Sequence, residues 1–350
     1  MRVNDLETRR KAILRAIVQS HIESAAPVGS RTISRLWNLG LSPASIRNVM
    51  ADLEEQGFIT QPHTSAGRVP TQAGYRCYVD DLMEPEQLTQ DLRGSLMQLC
   101  QTRWEMLEEF LRRTAELLSE LTGQAAVVVS PRLISSRFRR VELFIVEGRR
   151  VLAVWVIEPG LLQNRLVDME EKPAPELLER TANYMNHRLR GLTLLQARDV
   201  LERDALSVEG GVFPLVRCAL ELVDKLAKQS ETDRVYSRGT SRILCQPEFA
   251  EAQRVQELVL FLEEQRGLYD LLSPNLYQEG MRVCIGAESG SALLQDCTLI
   301  TCTYSAGGWP VGVLGVVGPM RMNYPRSLTA VSYMARLFSA LLDGEREIRL

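Results

Sequence analysis

Ser42-Pro43-Ala44-Ser45-Ile46-Arg47-Asn48-Val49-Met50-Ala51-Asp52-Leu53-Glu54-Glu55-Gln56-Gly57-Phe58-Ile59 is the stretch that decides the fold. Ser42 suits a helix N-cap and Pro43 the first helical position, where a missing N–H costs nothing. Ile46, Val49, Met50 and Leu53 recur at the spacing that buries one stripe of a helix. Ala44, Ser45, Arg47, Asn48 and Ala51 are left for the solvent side. Small residues let a helix backbone approach a duplex closely, and Arg and Asn make bidentate contacts to guanine and adenine edges in the major groove. Gly57 is placed to end the helix in the left-handed conformation, with a strand beginning at Phe58.

The flanking residues extend this into a unit. Leu6, Ile13, Leu14, Ile17 and Val18 mark a first amphipathic helix over about positions 5 to 24. After the loop Ala25-Ala26-Pro27-Val28-Gly29, Ser30 is expected to cap a short second helix running to Leu36, and Trp37-Asn38-Leu39-Gly40-Leu41 makes the turn. Two helices joined by a Gly-containing turn, the second with a polar face outward, match the helix-turn-helix arrangement. Beyond Thr60, Gln61-Pro62-His63-Thr64-Ser65-Ala66-Gly67-Arg68-Val69-Pro70-Thr71 is rich in hydroxyls and carries one Arg. That composition suits a hairpin wing lying on phosphates. A lone loop histidine such as His63 is ordinarily solvated or hydrogen-bonded, and nothing near it supplies a second metal ligand.

At this point the residues carry a resemblance. Pro27-Val28-Gly29-Ser30-Arg31, Ser45-Ile46-Arg47-Asn48, Gly57-Phe58-Ile59, the run Gln61 to Thr71 and Gly74-Tyr75-Arg76 are similar to the signature of the bacterial HrcA family of heat-inducible transcription repressors. The similarity resumes in Ile285-Gly286-Ala287-Glu288, Asp296-Cys297-Thr298-Leu299-Ile300 and Gly315-Val316-Val317-Gly318-Pro319-Met320-Arg321-Met322-Asn323-Tyr324, so it spans almost the whole chain. Ser45 stands where a Thr is usual, and Cys77 where an aromatic or aliphatic residue is expected. Carried onto this chain, the resemblance implies DNA contacts by Arg31, Ser42, Ser45, Arg47 and Asn48 from the helices and by His63, Thr64, Ser65 and Arg68 from the wing. It also implies a homodimer on an inverted-repeat operator of chaperonin and Hsp70 operons, released on heat stress, with the chaperonin GroEL as a further partner.

Length and composition agree with several domains. A chain of 350 residues exceeds what one hydrophobic core comfortably serves. No apolar stretch reaches the roughly 18 residues that span a bilayer, and Met1-Arg2-Val3-Asn4-Asp5-Leu6-Glu7 lacks the apolar core of a signal peptide, so a cytoplasmic protein without membrane contact is expected. The seven cysteines form no Cys-x-x-Cys pair, which signals neither zinc nor a redox dithiol. Net charge is −3, yet residues 1–82 hold ten basic against eight acidic side chains, leaving −5 on the remainder. An excess of two charges is ordinary for a surface, so specificity rests on geometry and dimerisation more than on bulk charge.

Farther along, Leu88, Leu92, Leu96, Leu99, Met106, Leu107, Phe110, Leu111, Leu117 and Leu118 give a helical pattern over Glu86 to Leu121, read as a connecting segment at 83–122 that packs rather than one that dimerises. Strands are expected at Ala125–Ser130, Phe138–Glu147 and Arg149–Ile157, the last two forming a hairpin at Gly148 within a mixed sheet. Helical patterns over Leu177–Leu189 and Phe213–Leu226 follow, then strands at Met281–Gly286, Cys297–Tyr304 and Val311–Val317 and a closing helix over Ser327–Leu342. The expected fold class is α+β and multi-domain. It has a winged helix-turn-helix at 1–82, a sheet domain at 123–157 and 236–350, and an inserted α/β module at 158–235. The resemblance names the sheet domain GAF-like and the insert a dimerisation module.

Catalytic patterns are weak. Gly286-Ala287-Glu288-Ser289-Gly290 and Gly307-Gly308-Trp309-Pro310-Val311-Gly312 lack the spacing of a phosphate or dinucleotide loop, no Gly-x-Ser-x-Gly elbow occurs, and there are three scattered histidines. Neither enzyme activity nor a cofactor or metal is expected. Glu288 is the one acidic residue worth testing for a buried role, though a solvated loop carboxylate is the plainer expectation. The alternative is a small-molecule-sensing regulator or an enzyme using the GAF-like domain.

Overall fold

Leu6–Ser24 (α1), Ser30–Leu36 (α2) and Pro43–Glu55 (α3) are followed by the strands Ile59–Thr60 (β1) and Val69–Pro70 (β2) and by the short helix Gln72–Cys77 (α4), which runs into a wider turn at Tyr78–Leu82. The computed structural model describes residues 6–64, 66–84, 86, 94, 107–130, 137–157, 161–207, 212–229, 235–244, 246–249, 252–306 and 308–343. Ser42 caps α3 by accepting from the Ser45 N–H at 3.1 Å, and Gly57 follows the helix at φ +79°. Ile46, Val49, Met50 and Leu53 are buried against Ile13, Leu14, Ile17 and Ile33, so the apolar stripe of α3 closes a core with α1 and α2. The expected Ser30 cap is corrected. Gly29 occupies the cap position without a side-chain bond, because helical bonding already begins with Ile33 N–H to the Gly29 carbonyl, and Ser30 lies buried in the first turn.

The short strands pair antiparallel, Ile59 opposite Pro70 and Thr60 opposite Val69. Two glycines permit the hairpin to seat. A Cβ on Gly67 would lie 2.5 Å from the Val28 carbonyl, where Arg68 and Val28 exchange both backbone bonds, and one on Gly74 would lie 2.1 Å from the Phe58 oxygen.

The larger β element is a five-stranded sheet, ordered Val235–Arg238 (β7), Ala125–Val129 (β3), Trp309–Pro319 (β10), Cys297–Ala306 (β9), Met281–Ile285 (β8). Every pairing in it is antiparallel, which corrects the expected mixed sheet. One face carries Ala126, Val128, Ile300, Tyr304, Leu314 and Val316 and packs on Leu107–Thr122 (α5) and Tyr324–Leu342 (α12). Phe110 stacks on Phe338 with ring centroids 4.6 Å apart, and Tyr304 meets the same ring at 4.4 Å. The opposite face carries Ala125, Val127, Val129, Val313 and Val317 and is covered from Thr240–Leu244 (α9), Ala252–Glu263 (α10) and Gln265–Leu272 (α11). Of the expected helical segment from Glu86, Leu88, Leu92, Leu96, Leu99 and Met106 lie outside the described residues. Its described part, α5, packs as a core helix.

The hairpin expected inside this sheet stands apart from it. Phe138–Glu147 (β4) and Arg150–Ile157 (β5) pair with Leu161–Asp168 (β6) as a separate antiparallel sheet. Val141, Val151, Ala153, Trp155 and Val167 form its inner face, against Pro175–Arg188 (α6), Leu194–Ser207 (α7) and Phe213–Gln229 (α8). Strand β5 is paired on both edges within this sheet, so neither it nor β4 joins the five-stranded one. Strand β6 escapes the sequence because Gln163, Asn164 and Arg165 interrupt its apolar pattern right after Pro159.

Candidate nucleic-acid interface

Helix α3 places its candidate side chains through its burial stripe. With Ile46, Val49, Met50 and Leu53 inward, Ala44, Ser45, Arg47, Asn48 and Ala51 all point to solvent. Arg47 and Asn48 make no hydrogen bond or ion pair with another described residue, so their donors and acceptors are free for an external partner. Arg31, on the first turn of α2, is likewise exposed. Ser42 and Ser45 are exposed but engaged with each other, their hydroxyls 3.0 Å apart at the helix N-terminus. Pro43 has no N–H there and the Ser45 N–H is taken by Ser42, so that terminus offers a phosphate chiefly its positive dipole end.

The hairpin loop is organised by a residue that pattern reading passed over. Gln61 donates through Nε2 to the carbonyls of Thr64 at 2.8 Å and Ala66 at 3.0 Å, folding the loop back on itself. His63 and Thr64 are exposed at its tip, and Ser65 lies outside the described residues. Among the described residues no group of three His, Cys, Asp or Glu is placed to hold a metal. Arg68 is half-buried and pairs with Glu54 of α3, Nε at 2.9 Å and Nη2 at 2.8 Å. Two of its nitrogens thus tie the hairpin to α3, so it is no bare phosphate donor. The signal for Gln61 and Glu54 was weak, since Gln in a loop and Glu near a helix end are both commonplace.

On the far side of the same unit, two arginines are engaged by several partners each. Arg76 of α4 donates to the Glu288 carboxylate through Nε at 3.1 Å and through Nη2, to Asp80 at 3.2 Å and to the Val283 carbonyl at 2.6 Å. Gln72 Oε1 accepts from the Ala287 N–H at 3.3 Å. Arg321 pairs with Glu248 and donates to Gln246 at 2.8 Å and to the Ile22 carbonyl of α1 at 3.3 Å. Tyr75 and Tyr78 pack on Tyr324, with ring centroids 5.9 and 6.4 Å away. Glu288 is therefore not a plain solvated loop carboxylate. Burial alone would raise its carboxyl, but the Arg76 guanidinium and the Ile285 N–H outweigh that and hold it below the usual range. His21 sits 2.8 Å from the Tyr75 hydroxyl, and burial lowers its imidazole below the ordinary value, with Glu248 opposing and Arg321 adding to the fall.

Comparison with known proteins bears on the same chain. The family model for the HrcA protein C terminal domain matches residues 108–328. The heat-inducible transcription repressor HrcA of Desulfitobacterium hafniense is 39% identical over 344 residues, covering 97% of this chain and 99% of that one. The repressor of the same name from Desulforudis audaxviator is 40% identical over 97% of this chain and 98% of its own. A crystal structure of a hypothetical protein at 2.2 Å resolution shares the fold, with TM-score 0.67 at 24% identity over 96% of this chain and 98% of that one. No helix among the described residues is long and apolar enough to cross a membrane. With a family model over more than half its length and full-length relatives near 40% identity, the chain belongs to the HrcA family.

Proposed function

We propose that this protein is a heat-inducible transcription repressor, acting as a homodimer whose two N-terminal units are winged helix-turn-helix readers of an inverted-repeat operator. The observation that carries the reading is the exposed pair Arg47 and Asn48 on α3, free of partners among the described residues at positions one helical step from a buried stripe. Such a helix offers the fork of Arg and the amide of Asn to base edges, while Ser42, Ser45 and the hairpin supply phosphate contacts. A dimer uses the same pair twice, once per half-site.

The five-stranded sheet and its helices are the GAF-like domain of this reading, and the β4–β6 unit is the dimerisation module. Phe144 and Val146 of β4 support the latter, being 52% and 55% exposed on the sheet face that α6, α7 and α8 do not cover. Through the family resemblance the regulated operons are those of the chaperonin and Hsp70 systems, and GroEL is a partner. Release on heating then follows from stability: with a total of about 5–15 kcal/mol, a domain loses its binding-competent population over a narrow temperature span. Repression by occupancy needs no reaction, no cofactor and no metal.

In vitro selection from a random-duplex library tests this. The reading expects enriched inverted repeats bound by the full-length protein and released on warming. Enrichment of no sequence over background, or of asymmetric single sites, would refute it.

A further inference from the structure

The N-terminal unit is clasped to the five-stranded domain by side chains that point away from its DNA-reading face. One clasp is Arg76 against Glu288 and the Val283 carbonyl, supported by Gln72 at the Ala287 N–H. The other is Arg321, which joins Glu248, Gln246 and the Ile22 carbonyl at the C-terminal end of α1. Tyr324 wedges between them under Tyr75 and Tyr78, its hydroxyl 2.9 Å from Thr298 of β9. All of these contacts come from α1, α4 and the turn after it. None involves α3, whose Arg47 and Asn48 stay exposed while the clasps are closed. Docking therefore leaves the reading face open and fixes its direction.

We infer that Arg76, Glu288 and Arg321 are positioning residues for operator binding: the two arginine clasps set the angle of each reading helix to the rest of its protomer and so dictate the half-site spacing that the dimer accepts. The inference rests on the proposed DNA-reading function. Its physical basis is that a linked second binding event gains affinity only where geometry allows both sites to engage together, and a rigid link sharpens that dependence. An arginine bonded to a carboxylate and to a backbone carbonyl is directional, because its planar fork fixes orientation as well as distance. A flexibly tethered unit would read the same bases at many spacings; a clasped one reads them at one.

The test uses full-length protein and duplexes carrying the selected half-site at a series of spacings, with Kd read by fluorescence anisotropy. Wild type is expected to bind best at one spacing and to lose roughly tenfold or more when the half-sites are shifted by about half a helical turn, roughly 5 bp. Glu288→Gln and Arg321→Ala are expected to flatten that profile to within about threefold while keeping preference for the half-site over scrambled sequence. A charge exchange, Arg76→Glu with Glu288→Arg, is expected to recover part of the lost spacing dependence. Unaltered spacing profiles in both single variants overturn the inference, and so does a loss of half-site preference in step with spacing, which a general loosening of the fold would produce. Wild-type protein without half-site preference would instead bring down the DNA-reading function itself, so the two failures are told apart.

Discussion

Two sides of the N-terminal unit carry arginines put to different ends, one exposed and one half-buried. On the α3 side Arg47 stands in solvent with no partner among the described residues, whereas on the α4 side Arg76 satisfies Glu288, Asp80 and a carbonyl at once. Charge counting sees the same +1 in each. The difference is pairing, and it separates a group free to bind something else from one whose donors are already committed. Arg68 falls between, with Nε and Nη2 on Glu54. Under the proposed function, that contrast lets a chain with net charge −3 present a DNA-reading face, with acidic residues such as Glu288 and Glu248 paired to arginines on the back of the unit.

The contrast yields graded expectations. Phe338→Ala removes a fully buried ring stacked on Phe110 behind the clasped side and should cost about 3–5 kcal/mol in denaturant unfolding. It should leave the sequence preference of the folded fraction unchanged; a changed preference would mean that reading and holding are not separate. Arg47→Ala and Asn48→Ala are expected to do the reverse, each losing about 1–3 kcal/mol of base discrimination per half-site with no shift in melting temperature. A fall in melting temperature for either would show that the exposed pair supports the fold. Ser42→Ala removes the bond to the Ser45 N–H and should cost about 1 kcal/mol, read in the same unfolding assay.

The smallest effect is on pH. Burial depresses the His21 imidazole, so the unfolded chain takes up a proton below about pH 6.5 that the folded chain resists, and stability falls as pH drops through that window. A melting temperature that declines between pH 7 and pH 5.5 in wild type and much less in His21→Gln is the expected outcome. Equal declines would place the sensitivity in other groups.

The N-terminal unit was largely legible because its signals are local. The cap at Ser42, the stripe through Leu53 and the left-handed Gly57 are each decided within a few residues, and the structure has all three. The clasps were not legible. Arg76 and Glu288 lie 212 positions apart, and nothing in either neighbourhood marks one for the other. The same holds for the sheets: β4 and β5 were found as strands, but which sheet they join is decided by β6, whose polar middle hides its alternation. Gln61 illustrates a third kind of blindness, in which a side chain organises a loop through bonds to carbonyls that any sequence would provide.

The most direct measurement is a titration of wild-type and Arg47→Ala protein, by fluorescence anisotropy, onto a selected inverted-repeat duplex and its scrambled counterpart at fixed salt. The account predicts that Arg47→Ala loses most of its affinity for the repeat, about 5-fold to 150-fold per half-site, while affinity for the scrambled duplex changes far less. Equal losses on both duplexes would make Arg47 a phosphate contact and contradict base reading by the exposed face of α3.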